Sequence, residues 1–257
     1  MLDASRRALG LDSALRHWHR ARALDALLNV FALPAVLRGR RVTGRAAESR
    51  RVLVLTVLRD ENEPTWRFAE RELRSGRHDV SLEVSGVGGA GKFTNLNRLL
   101  DATIPNDYDW LLIVDDDVVL PSRFLEVFLL AAEHFDFRIV QPAHCMLSHA
   151  SWPMTRRSPF AIARATNFVE IGPVTALHRE AIPSLTPFPA DGMGYGLDFE
   201  WAKTARERRW SIGVVDVTPI VHLMPAGSTY SMTEAAAAGR RDLYDRPRTV
   251  VTFRRWR

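Results

Sequence analysis

The chain predicts an α/β protein: a mainly parallel sheet covered by helices, with a helical extension ahead of it. Three observations carry this. Short apolar runs rich in β-branched residues recur through the middle of the chain, as strands buried on both faces do. Segments with helical spacing lie between them, so strand and helix alternate. Three consecutive aspartates, Asp115, Asp116 and Asp117, close the most hydrophobic run. That is the end of a strand at which ligands of open α/β sheets bind.

The length of 257 residues suits one large α/β domain or a domain with appendages, and 46% hydrophobic residues suffice for a sizeable core. The formal net charge of +5 favours anionic partners without choosing among them. Cys145 is the only cysteine, which excludes a disulfide framework or a thiolate metal cluster. No apolar run approaches the roughly 20 residues of a membrane span. Asp3, Arg6 and Arg7 interrupt any early leader-like stretch. The expected location is cytoplasmic, with the inner face of a membrane open to it through the N-terminal segment.

Residues 1–48 form the basic helical extension. Leu24, Leu27, Leu28 and Phe31 can share one helical face, with Arg20, Arg22, Arg38, Arg40 and Arg41 around them. Pro34 should end or kink that helix. Two readings stand side by side: a helix packed on the next domain or on another copy, and a membrane-surface helix over residues 1–45.

The main α/β domain is expected over residues 49–225. Arg51 to Leu58 reads as its first buried strand, Thr65 to Ser75 as a helix and Asp79 to Val87 as a second strand. Phe93 to Ala102 reads as a helix and Trp110 to Val114 as a third strand. A helix started by Pro121 should run to His134, followed by a strand over Arg138 to Gln141. Residues 146–168 lack period and read as a long binding loop or lid. Val174 to His178 and Ile212 to Val217 read as strands, Ala181 to Pro189 as a turn-rich link, and Phe199 to Arg209 as a helix. Residues 226–257 form a tail that packs on the domain, ending in a basic strand-like piece from Thr249.

Three adjacent carboxylates repel one another, and a divalent cation relieves that cost. Manganese and magnesium prefer oxygen ligands, commonly carboxylates with substrate phosphates. Along an extended chain Asp115 and Asp117 face one way and Asp116 the other. The first two are therefore the natural pair on one ligand, and Asp116 is structural or peripheral. Gly86 to Lys92 is nearly a phosphate-binding loop, and a nucleotide-binding kinase or triphosphatase is the alternative it supports. Phe93 stands where that motif needs a hydroxyl for magnesium, and only 23 residues separate Lys92 from Asp115 (115 − 92 = 23).

These pieces together resemble the family 2 glycosyltransferases and related GT-A enzymes, whose fold is a Rossmann-like nucleotide-diphospho-sugar domain. The resemblance rests on Val52–Leu58, on Gly91-Lys92-Phe93-Thr94-Asn95-Leu96-Asn97, and on Ile113-Val114-Asp115-Asp116-Asp117-Val118-Val119-Leu120-Pro121. Further on, Gly172 to Arg179 looks like an acceptor-side strand ending in Arg. Gly194-Tyr195-Gly196-Leu197-Asp198-Phe199-Glu200 looks like the segment that opens the catalytic helix, with Leu197 in place of the commoner Glu.

The resemblance implies a transferase that moves a sugar from a nucleotide-diphosphate donor to an acceptor hydroxyl, inverting, with Asp198 as general base. It implies a metal, Mn2+ or Mg2+, on Asp115, Asp117 and His222. The donor would meet Arg59, Asp60, Lys92, Asp115 and Asp116, and the acceptor side would hold Trp152, Arg179 and Tyr195. The acceptor is a carbohydrate, a lipid-linked molecule or a small molecule, and no nucleic acid is expected. Asp198 equally suits a helix N-cap. Arg156 and Arg157 read as lid residues for the diphosphate or as solvated charges, and Trp201 as a sugar platform or as core.

Overall fold

The computed structural model describes residues 19–20, 23–27, 30, 33, 37, 48–189, 194, 196–225 and 246–254. The sheet strands are β1 Arg51–Leu58, β2 Asp79–Gly86, β3 Trp110–Val114, β4 Val118–Val119, β5 Phe137–His144, β6 Ala163–Thr166, β7 Val174–His178, β8 Ser211–His222 and β9 Thr249–Phe253. Among the residues described from 48 on, the helices are α1 Glu63–Arg74, α2 Lys92–Asp101, α3 Phe124–His134, α4 Ile182–Leu185 and α5 Leu197–Arg208.

The strands form one sheet of order β2-β1-β3-β7-β5-β8-β6-β9, with β4 paired to β8 beside this path. Strands β1, β2 and β3 are mutually parallel, as are β5 and β8; β7 runs against β3 and β5, and β6 against β8 and β9. The mainly parallel α/β class expected from the sequence is therefore the one found, with β4, β6 and β7 as its three reversed strands.

The apolar runs are continuous because both sheet faces are covered. Val52, Val54, Leu112 and Val114 point into one core with Trp66, Ala69 and Leu73 of α1 and Phe124 and Phe128 of α3. The alternate residues Leu53, Leu55, Leu111 and Ile113 point into the other, against Phe93 and Leu96 of α2 and Leu197 and Trp201 of α5. Each such side chain contributes roughly 1.5–3 kcal/mol by leaving water. Helix α1 carries Pro64 and Glu63 in its first turn and Arg71 and Arg74 in its last, which suits both its backbone and its dipole.

The helix expected from Pro121 starts instead at Phe124. Arg123 takes a left-handed φ of 58°, and the Glu72 carboxylate of α1 accepts the backbone N–H groups of Arg123 and Phe124. A side chain from another helix thus caps α3, so the proline belongs to the approach turn. The stretch expected as a loop, 146–168, holds β6 inside it. Strand β8 runs five residues past its expected end, to His222, and so reaches the aspartates. In the tail, β9 enters the sheet as the neighbour of β6.

Candidate functional site

The aspartates lie between β3 and the two-residue strand β4. Pairing of β4 with β8 sets Val118 opposite His222, and the Leu223 N–H donates to Asp117 O at 3.0 Å. The turn after β3 and the end of β8 are thereby fastened together. One ligand atom each from Asp115, Asp117 and His222 lies within 4.8 Å of the other two. His222 Nε2 stands 3.3 Å from Asp117 Oδ2.

The three carboxylates have different surroundings. Asp115 meets the Lys92 ammonium from the start of α2, and its own N–H donates to Pro173 O at 2.7 Å. Asp116 is buried and accepts the Arg59 backbone N–H at 2.7 Å and Arg59 Nε at 3.0 Å. Asp117 is buried beside His222, with Arg59 Nη2 at 3.6 Å. Burial alone would raise the Asp117 carboxyl; His222 and Arg59 outweigh it and hold the group below the usual carboxylate range. Burial alone would lower His222, but Asp117, then Asp115 and Glu170, lift it above the usual imidazole value.

A shared cation fits this donor set. Two ligands at 2.0–2.3 Å from one ion stand at most about 4.5 Å apart, close to the observed spread. Two carboxylates and an imidazole also form a donor set that manganese and magnesium accept, the imidazole suiting manganese better.

Gly172 closes the site from the side. A Cβ on it would stand 3.0 Å from Asp115 Oδ2 and 3.3 Å from Lys92 Nζ. Gly194 is required for two reasons: its φ is +80°, and a Cβ would fall 2.0 Å from the Phe93 ring and 2.8 Å from Ile171. Phe93 follows Lys92, and Ile171 precedes Gly172. Gly194 therefore brings the start of α5 against the same two segments that flank Asp115.

Asp198 sits in the first turn of α5. Gly196 is the residue before that helix, so Asp198 is not its N-cap; Asp198 Oδ1 accepts the Phe199 N–H at 3.0 Å. The Trp152 ring packs edge-on to Phe168 at 5.6 Å and to Phe199 at 6.1 Å, next to Asp198. Trp201 is core, 1% exposed and packed with Phe188. Asp60 is exposed in the short turn Asp60–Asn62 after β1. Tyr195 lies outside the described residues.

Arg179 is a correction. Strand β7 is antiparallel to β3, with Val174 opposite Val114 and His178 opposite Trp110. Its end therefore points away from the aspartates, and Arg179 pairs there with Asp109 at 2.7 Å. Arg156 and Arg157 are not lid residues. Arg156 Nη1 donates to Met146 O at 2.9 Å and to Ser148 O at 2.6 Å, and the 4%-exposed Arg157 pairs with Asp25 at 3.0 Å. The loop is a strap, folded on itself by arginine bonds to backbone carbonyls.

That strap brings in residues that sequence reasoning missed. Ser148 Oγ accepts the His222 N–H at 2.8 Å. Glu170, buried, accepts the Trp152 N–H at 2.9 Å and the Thr155 hydroxyl at 2.6 Å, and stands 3.4 Å from His144 Nε2. A charged residue in the apolar stretch from Phe168 to Ile171 was the available signal. The Gly86–Lys92 turn follows β2, the edge strand, and Asn95 Nδ2 donates to Val87 O and Ala90 O within it. Its lysine reaches the aspartates instead of closing over its own loop.

No family model and no curated protein sequence matches the chain. Solved structures do resemble it. A mannosyltransferase, PcManGT from Pyrobaculum calidifontis in complex with GDP-Man and Mn2+, shares 18% identity over 76% of this chain and 67% of its own, with a TM-score of 0.41. The S. aureus TarS fragment 1–349 in complex with UDP-GlcNAc shares 11% identity over 73% of this chain and 63% of its own, with a TM-score of 0.42. The same TarS fragment in a second structure is covered over 59% of its length. Within the sheet of this chain, the aspartates stand at the carboxyl end of β3.

Proposed function

We propose that the chain is a metal-dependent, inverting glycosyltransferase that moves a sugar from a nucleotide-diphosphate donor to an acceptor hydroxyl. One observation carries this: Asp115, Asp117 and His222 offer ligand atoms within 4.8 Å of one another at the carboxyl end of a central strand. These three residues would hold Mn2+ or Mg2+. The cation supplies Lewis-acid stabilisation of the charge that develops on a leaving diphosphate.

The remaining roles belong to the chain itself. Lys92, already on Asp115, is placed to share its charge with a donor phosphate. Arg59 holds Asp116 and keeps the turn of aspartates in place, with Asp60 beyond it toward the nucleoside. Asp198, at the opening of α5, is the base that takes the proton of the acceptor hydroxyl. Trp152 offers a ring face to the acceptor beside it. The acceptor is a carbohydrate, a lipid-linked molecule or a small molecule, and residues 1–45 provide peripheral membrane contact.

The test is calorimetric titration of nucleotide-diphosphate sugars with and without Mn2+. The wild-type chain should bind at least one donor in a metal-dependent manner, and Asp117→Ala should lose that binding by about a hundredfold or more, since even the partners behind a metal ligand are worth about 10–100-fold. Undiminished binding by Asp117→Ala would overturn the reading. Asp198→Asn should keep donor binding and lose transfer.

A further inference from the structure

We infer that the described residues of the segment from Arg16 to Arg45 present a lipid-contacting face, and that their partner is an anionic membrane surface. The described residues of this segment are all helical. Among them, Leu24, Leu27, Val30, Leu33 and Leu37 are exposed at 36%, 67%, 66%, 47% and 45%. On helical spacing of about 100° per residue, Ala26, Val30 and Leu33 fall within an arc of roughly 60°. Asp25 projects roughly a quarter turn or more away from that row. A water-facing apolar row of this length is uncommon on a soluble chain and marks a surface that is covered in use.

Charge decides what covers it. Between Arg16 and Arg45 the sequence holds seven arginines (16, 20, 22, 38, 40, 41 and 45), no lysine and one acidic residue, Asp25. Asp25 is buried: Oδ1 is 3.0 Å from Arg157 Nη1, and Oδ2 accepts the Met146 N–H at 3.0 Å. The single negative charge is thus turned inward and neutralised, and every other formal charge in this stretch of sequence is positive. Two copies of such a face would set arginine against arginine, which disfavours self-association. Leucines and valine flanked by arginines match the apolar edge and anionic headgroups of a bilayer interface.

The attachment point is part of the inference. Asp25 docks on Met146 and Arg157, the two ends of the strap whose Ser148 holds the His222 backbone. A lipid surface bound by this segment is therefore linked through one short chain of hydrogen bonds to the candidate metal site. This deepens the membrane contact in the functional reading above, and its test needs no sugar transfer.

The test is co-sedimentation of the full chain with phosphatidylcholine vesicles, with and without phosphatidylglycerol. The wild-type chain should pellet with the anionic vesicles and less so as salt rises. Leu27→Glu with Val30→Glu should weaken that binding by about tenfold, and Arg38→Gln with Arg40→Gln and Arg41→Gln by a comparable factor. Leu27 and Val30 are exposed, so the melting temperature should hold, and so should any metal-dependent shift produced by nucleotide sugars. No vesicle binding, equal binding to neutral vesicles, or wild-type binding by both variants would each overturn the inference. So would a dimer seen by light scattering that these substitutions dissolve without any vesicle uptake. Loss of sugar-nucleotide binding with vesicle binding intact would instead count against the transferase reading alone.

Discussion

Asp115, Asp116 and Asp117 are neighbours whose work differs because their surroundings differ. Asp116 turns into the protein and is saturated by Arg59, while Asp115 and Asp117 turn toward Lys92 and His222. Room for that second side depends on Gly172. A methyl group there would press on Asp115 Oδ2 at 3.0 Å and on Lys92 Nζ at 3.3 Å. We expect Gly172→Ala to weaken Mn2+-dependent donor binding by about tenfold, the effect of a ligand displaced by a fraction of an ångström. The melting temperature should change little, because tilting the Lys92 side chain away from the methyl costs less than a core rearrangement. Paired calorimetry and thermal melts check this; a large loss of stability with unchanged binding would refute it. The division of the aspartates was readable in the sequence because extended chain alternates. Their counter-charges were only half readable. Lys92 announced itself in a glycine-rich turn, but Arg59 looked like a phosphate ligand because its partner lies 57 positions away (116 − 59 = 57).

At the scale of elements, the strap over residues 146–158 is where pattern reading failed, for a physical reason. Its order comes from arginines that donate to backbone carbonyls and from one buried carboxylate, and neither leaves a periodic trace in sequence. Strand β6 hid for the same reason: Ala163-Arg164-Ala165-Thr166 has no apolar run, and its arginine is buried only because Asp216 of β8 pairs with it at 2.9 Å. Strands β1, β3 and β7 were legible residue by residue, since both of their faces are apolar. Glu170 offers a pH test of the strap. Burial alone would push its carboxyl up; His144, the Thr155 hydroxyl and the Trp152 N–H outweigh that and hold it below its ordinary value of 4.5. A depressed native value means the ionised group favours the folded state. That contribution is complete above pH 4.5 and is lost as pH falls below it toward the native value. Glu170→Gln should therefore be less stable than the wild type at neutral pH by about 1–3 kcal/mol. The gap should narrow as the pH drops below that ordinary value. Melting curves across pH measure it, and a gap independent of pH would show that the charge contributes nothing.

At the scale of the whole molecule, the sheet does not end where the sequence pattern suggested the catalytic domain would. Strand β9 lies beside β6, its Phe253 ring stacks on Phe135 at 4.5 Å, and Phe253 O accepts the Ile162 N–H at 3.0 Å. It also touches the strap indirectly. Arg164 bonds Thr249 Oγ1 at 3.3 Å, and the same guanidinium holds Met154 O, Arg156 O and the Asp216 carboxylate. Removing residues 247–257 should uncover the edge of β6 and cost about 2–4 kcal/mol, from cross-strand pairs worth up to about 1 kcal/mol each and one stacked aromatic pair. For a chain of this size that lowers the melting temperature by about 10 °C. An open edge strand should also raise the tendency to aggregate. Metal-dependent donor binding should stay within about threefold, because Asp216, a charged and bidentate partner, fixes Arg164 more firmly than the Thr249 hydroxyl does. Calorimetric melting and donor titration of the truncated chain separate the two effects. An unchanged melting temperature would show that β9 is an appendage, whereas collapse of donor binding would show that the strap, and with it His222, is held from the far edge of the sheet.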